Sequence, residues 1–299
     1  MLSGITVSCF LFSYLTVLAF EVSRFVFKMP GRNFLLFAMM AAGLFAHTIF
    51  LANQLFLDKA YGNVPVLSNW FQWTVVGAWG LAVACQLLLI RYPSNAITLF
   101  IIPLILGLIG LAEVLRSQQP FQATPMGTDW PAVHGFSLLI STTFIGLGLA
   151  FGTMYLLQSY RLKTRKTFKS KFRLPALEFL RTVNRISLFG TCLSLAIGLL
   201  SGIVMNRGSA GTVHWLSGSV LFSLALFAWS AMAAGLELRT QGSLGGRRSA
   251  YLAIGNFIFL ILALAFVLLS AHGRMIPGEA NRDTPNADVT RIEDFGGYA

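Results

Sequence analysis

The sequence predicts an all-α polytopic integral membrane protein: eight transmembrane helices with both termini on the non-cytoplasmic side. Three observations predict it. Eight apolar stretches each match the roughly 20 residues needed to cross a hydrocarbon core about 30 Å thick. Hydrophobic residues make up 56% of the chain and charged residues 11%, with a mean hydropathy of +0.70, a composition outside the soluble globular range. Finally, 16 of the 22 basic residues fall in every second connection between apolar stretches. Lys and Arg stay on the cytoplasmic side of a bilayer, so the alternation orients every helix.

The first stretch, Leu2 to Phe20, has no basic residue ahead of it; its positive charges, Arg24, Lys28 and Arg32, come after. It therefore reads as a retained helix with its N-terminus outside, not as a cleavable signal. Phe34 to Leu57 returns outward and carries His47. Trp70 to Ile90 opens on Trp70 and Trp73 and ends at Arg91. Ala96 to Leu115 contains Pro103, the one mid-membrane proline. The polar outer connection Arg116 to Ala132, with Pro120, Pro125, Gly127 and Pro131, is expected to be irregular.

Val133 to Tyr160 carries Ser141, Ile145, Gly148 and Gly152 on one face, with His134 and Ser137 on that face earlier. Ile186 to Met205 carries Gly190, Ser194, Gly198 and Gly202 at four-residue spacing. Small residues at this spacing let helix backbones approach closely in lipid. These two helices are expected to pack together, turning His134 toward the bundle. Between them lies the longest inner connection, Arg161 to Arg181, where Leu174-Pro175 starts a short amphipathic piece. Trp215 to Leu236 and Ala250 to Ala271 complete the set. Residues 1–272 thus form one membrane domain, and the acidic, Pro- and Gly-containing residues 273–299 form an outer tail expected to be poorly ordered.

The formal net charge of +11 is divided among short loops. Topology and anionic lipid headgroups account for it, so membrane lipid is an expected partner and nucleic acid is not. Cys9, Cys85 and Cys192 lie singly in three helices without a C-x-x-C pair, which excludes a thiol–disulfide carrier; they read as small buried residues. No nucleophile–base arrangement is visible, so enzymatic chemistry is not expected.

The four histidines fall toward one side. His47 lies 13 residues into the outward-running second helix, about 20 Å up a core about 30 Å thick. His134 and His214 begin the fifth and seventh helices at the outer surface, and His272 ends the eighth there. Trp70, Trp73, Trp130 and Trp215 share the layer. An aromatic belt with interfacial histidines is one reading. A haem or metal pocket is the other, because imidazole is the usual axial ligand of haem iron. Two haems stacked across the bilayer are excluded, since the inner half holds no histidine.

Local sequence adds a resemblance. Trp130-Pro-Ala-Val-His134, followed by Tyr155-Leu-Leu-Gln-Ser-Tyr-Arg-Leu-Lys163, is similar to the CcsA/ResC/HemX family of cytochrome c assembly proteins. Leu174-Pro-Ala-Leu-Glu178, Asn184-Arg185, the Gly190 to Gly202 helix, Trp229, Glu237-Leu-Arg239 and Gly246-Arg-Arg-Ser-Ala250 follow in the family's order. The resemblance covers Trp130 to His272; the first four helices match by hydropathy alone. It implies a multi-pass protein of a bacterial cell membrane that handles haem at the outer face and delivers it in cytochrome c assembly. By position it implies His134 and His272 as axial ligands, with Trp130, His214 and Trp215 as pocket wall and His47 as a further candidate. Apocytochrome c or another maturation subunit would be the protein partner. His214-Trp-Leu-Ser-Gly-Ser219 stands where the family has its full tryptophan-rich "WWD" element, and Glu237 replaces a family membrane histidine. These departures resemble the HemX/YpjD-like branch, whose implied role is a non-enzymatic regulator or scaffold linked to tetrapyrrole synthesis. A solute transporter is disfavoured, as no inverted repeat or pair of broken helices is visible. Glu237 itself reads as an ionised group that pairs with cytoplasmic arginines and meets headgroup water, not as a ligand.

Overall fold

The computed structural model describes residues 6–26, 30–60, 69–93, 95–117, 130–164, 173–210, 218–239 and 243–269. Every regular element among them is an α-helix: α1 (Val7–Ser23), α2 (Arg32–Ala60), α3 (Trp70–Arg91), α4 (Thr98–Leu115), α5 (Trp130–Lys163), α6 (Leu177–Ala210), α7 (Gly218–Arg239) and α8 (Ser243–Leu269). Seven of them are long and apolar enough to cross a membrane, which makes the chain a multi-pass membrane protein. The shorter α1 has 17 residues. Large apolar side chains such as Phe34, Phe45, Leu193 and Leu200 lie exposed on the outside, as lipid contact requires.

Helix ends depart from the apolar stretches where polar residues continue the helix. The amphipathic piece after Pro175 is not separate: α6 runs unbroken for 34 residues from Leu177, with Glu178 in its first turn facing the positive end of the helix dipole. Likewise α8 starts at Ser243 and absorbs Gly246, Arg247 and Arg248. Asn69 caps α3, its side-chain oxygen accepting from the Gln72 N–H at 2.8 Å, which sets the start at Trp70. Pro103 is accommodated inside α4.

The helices form two groups of four. In the first, α1 packs on α2 and α4, and α3 on α2 and α4; in the second, α5 packs on α6 and α8, and α7 on α6 and α8. Helix α5 joins the groups through α3 and α4. One face of α1 (Val7, Phe10, Tyr14, Val17 and Glu21) is buried at three- and four-residue steps. Its last turn is pinned by polar bonds: Thr98 Oγ1 of α4 donates to Glu21 Oε1 at 2.6 Å, and the Arg24 guanidinium sits 3.4 Å from the same carboxylate. An apolar core fills the α1–α4 group and its border with α5. The α5–α8 group is different: its interior carries Ser137, Ser141, Asn184, Ser187, Thr191, Ser194, Ser201, Ser230, Glu237, Ser249 and Asn256, all buried.

Candidate functional site

The small-residue faces of α5 and α6 meet, and the pair is the most extensive helix contact in the fold. A methyl at Gly190 would strike the Phe144 ring at 2.6 Å, one at Gly198 would meet Ser137 Oγ at 3.1 Å, and one at Gly202 would meet the His134 imidazole at 3.0 Å. The lower part of the α5 face takes α8 as well, because Gly152 lies against the Ala250 carbonyl, 3.1 Å from where a Cβ would stand. His134 is thus turned into the α5–α6 seam. Its Nδ1–H donates to the Gly198 carbonyl at 2.7 Å. A carbonyl can only accept, so this bond places the ring proton on Nδ1. Metal-binding histidines are oriented by such a bond on the other ring nitrogen. Trp130 stands one turn before His134 on the same face of α5 and is 44% exposed.

His47 lies in the same layer but in the other helix group. Phe10, near the start of α1, stacks on its imidazole at 4.1 Å and 2°. The Tyr14 hydroxyl is 3.3 Å from its Nδ1, and the ring has no exposed surface. The aromatic chain continues through Phe50 and Phe71, and the Arg116 guanidinium caps Phe71 at 4.7 Å. Trp73 of α3 packs against Gly135 and Phe136 of α5, so the starts of α1, α3 and α5 share one aromatic layer. Within it, His47 is a core residue enclosed by α1 and α2, whereas His134 is held by α6. His214, Trp215 and His272, and the 273–299 tail, lie outside the described residues. No group of three or more His, Cys, Asp or Glu side chains suited to a metal ion occurs among the described residues.

Two expectations need correction. Cys9 is exposed on the outside of α1, so only Cys85 fits the buried description fully; Cys192 is half-buried. Glu237 does not meet headgroup water. It is 3% exposed and pairs with Arg181 of α6 at 3.8 Å, not with the neighbouring Arg239, because the long α6 brings Arg181 alongside the end of α7. Neither carboxylate oxygen completes a hydrogen bond. Ser249 Oγ lies beside it, itself accepting from Asn184 Nδ2 at 2.8 Å. One level further in, Ser230 Oγ donates to Asn256 Oδ1 at 3.0 Å. Ser137, Ser141 and Ser194 lie on the small-residue faces legible in the sequence, and Asn184, Ser187 and Thr191 extend the α6 face at three- and four-residue steps.

Fold and interior together define the class: a polytopic α-helical membrane protein with a histidine-bearing aromatic layer at one end and a polar seam through one half. Comparison with family models, with curated proteins and with solved structures returns no match.

Proposed function

We propose that this protein spans the cell membrane eight times with both termini outside the cytoplasm and handles haem at the outer face in cytochrome c assembly. In this reading His134 and His272 are the axial ligands, Trp130, His214 and Trp215 wall the pocket, and His47 lies behind it. The observation that supports the reading is the His134 Nδ1–H bond to the Gly198 carbonyl, which holds the imidazole one turn after Trp130 at the start of α5. Haem held by His134 and His272 would be the cargo presented to an apocytochrome c or a maturation subunit. The chain's own part is to hold the imidazole, stack indoles on the ring and exclude bulk water.

The test is an absorption spectrum of the detergent-purified protein, before and after reduction. Low-spin Soret and α/β bands are expected. In His134→Ala and His272→Ala they should convert to a high-spin spectrum and return on adding free imidazole. If both variants keep the wild-type spectrum, the ligand assignment is wrong. A colourless protein that co-purifies with a cytosolic partner through the Arg161–Arg185 connection would instead establish the HemX-like regulatory role, which the replacement of a family histidine by Glu237 favours.

A further inference from the structure

At the opposite end of the bundle from His134, the α1–α4 group encloses charge that the haem reading does not use. Glu21 in the last turn of α1 and Arg24 just after it are 1% and 3% exposed, and α2 begins on Arg32. Glu21 does not satisfy Arg24. The Thr98 hydroxyl holds Glu21 Oε1 at 2.6 Å, and Arg24 reaches the carboxylate only at 3.4 Å, from Nη2 to Oε1 and from Nε to Oε2. A good charge-assisted N–H···O bond is about 2.7–2.9 Å long. Glu21 Oε2, Arg24 Nε and Arg32 Nε are all buried without a hydrogen-bond partner.

Arg32 lies close enough to Arg24 to repel it, so two guanidiniums stand against one carboxylate and leave a net positive charge. A guanidinium keeps its proton, and an enclosed charge without a matching partner is strongly destabilising. The backbone adds to the same sign. Helix α2 is 29 residues long, starts directly after Gly31 at φ 76° and has no acidic residue in its first turn. The first N–H groups of a helix lack intrahelical partners and carry the positive end of its dipole. Enclosed guanidiniums with unfilled donors, next to a helix N-terminus, are the parts of an anion site.

We infer that Arg24, Arg32 and the start of α2 hold a phosphate group, that of an anionic phospholipid. The end of one membrane helix and the start of the next lie at the level of the headgroups. The net positive charge of the cluster matches the single negative charge of a phosphodiester, and the planar guanidinium fork fits phosphate oxygens in pairs. Arg32 is half-buried, so it links the enclosed Arg24 to the surface. On the same two helix ends Val22, Val26, Phe34 and Phe37 are exposed and offer apolar surface to the acyl chains. Basic pockets between transmembrane helices take anionic headgroups in this way. A zwitterionic lipid brings a cation of its own, which the two guanidiniums repel. The inference rests on neither the haem reading nor the orientation of the bundle, since headgroups line both faces.

The test titrates the full chain, purified in detergent, with dioleoyl phosphatidylglycerol, dioleoyl phosphatidylcholine or inorganic phosphate. Thermal unfolding and the lipid retained in native mass spectrometry are the readouts. Phosphatidylglycerol should be retained and should raise the unfolding temperature to a plateau; phosphatidylcholine and phosphate should do neither. Arg32→Gln should weaken phosphatidylglycerol binding about tenfold, the effect of about one lost hydrogen bond to a charged group. Arg91→Gln removes a basic residue at the same end of the bundle but outside the site, and should bind as the wild type does. Arg24→Gln should weaken binding too; should that variant fail to fold because Glu21 is left unpaired, Arg32→Gln decides alone. Equal losses in Arg32→Gln and Arg91→Gln would reveal diffuse attraction to headgroups and overturn the inference. So would phosphatidylcholine binding as tightly as phosphatidylglycerol, or inorganic phosphate alone giving the full thermal shift, which would make free phosphate the ligand.

Discussion

His134 shows how glycines on a neighbouring helix set the tautomer and position of a histidine. Gly198 supplies the carbonyl that fixes its tautomer, and Gly202 supplies the space its ring occupies. Gly202→Ala would place a methyl 3.0 Å from Cε1 and Nδ1, so the ring must give by a few tenths of an ångström, which strains its 2.7 Å bond to the Gly198 carbonyl. The substitution should cost about 1 to 3 kcal/mol, as overpacking does, and leave a folded protein. Its effect on the haem spectrum should be larger: the low-spin bands should shift toward the high-spin form expected of His134→Ala. A wild-type spectrum in Gly202→Ala would show that the α5–α6 contact does not orient a haem ligand. Glu237→Gln is the contrasting change. Glu237 lies at the opposite end of the seam from His134, so this variant should keep the wild-type spectrum, and loss of haem in it would place Glu237 in the haem site.

At the scale of single helices, apolar length was readable and helix ends were not. Hydropathy marks only the part of a helix that sits in hydrocarbon, whereas α6 and α8 carry their hydrogen bonds on through Leu177 to Arg185 and Ser243 to Ser249. That missed extension is what places Arg181 against Glu237. The α6 face was half read: Gly190, Ser194, Gly198 and Gly202 gave the packing partner, while Asn184, Ser187 and Thr191 continue the pattern and were left out. Hydropathy does not separate such positions from solvated or back-bonding ones; Ser187 does back-bond, whereas Asn184 Oδ1 and Thr191 Oγ1 are buried without a hydrogen-bond partner. The site was legible to a lesser degree. His134 and its direction followed from the small-residue faces, but the enclosure of His47 by Phe10 depends on how α1 docks, which no local pattern encodes. The two kinds of contact within the second group should differ in weight. Asn184→Ala removes the bond to Ser249, and interhelical hydrogen bonds in membranes average about 0.6 kcal/mol, with about 1.7 as the largest. Gly152→Leu drives a branched side chain into the Ala250 backbone, which cannot yield as a side-chain tip can. Thermal unfolding in detergent should therefore show a small loss for Asn184→Ala and a large one for Gly152→Leu; the reverse order would mean that polar bonds, not close backbone approach, hold α8 in place.

For the molecule as a whole, the larger apolar core lies in α1–α4 and its border with α5, and most of the buried polar side chains among the described residues lie in α5–α8. Which face each end of the seam meets depends on orientation, and the proposed orientation rests on the charge pattern. Arg24, Arg91, Arg161, Lys163, Arg173, Arg239, Arg247 and Arg248 all fall at one end of the bundle, the end that also holds Glu237 and Arg181. Placing that end in the cytoplasm follows from the preference of Lys and Arg for short cytoplasmic connections. The helix most open to challenge is α1, because 17 residues cover only about 25 Å of a core about 30 Å thick. Modest mismatch is tolerated by thinning of the bilayer, and the Glu21–Arg24–Thr98 bonds tie its last turn to the start of α4 at the basic end. A reporter active only outside the cytoplasm, fused after Ala299, should give signal, and the same reporter inserted at Lys166 should give none. Fused ahead of Met1, it should again give signal if α1 crosses. Silence at Met1 with signal at Ala299 would lay α1 along the surface and leave seven spans. Signal at Lys166 would invert the bundle, bring the histidine layer to the cytoplasm and remove the ground for haem delivery at the outer face.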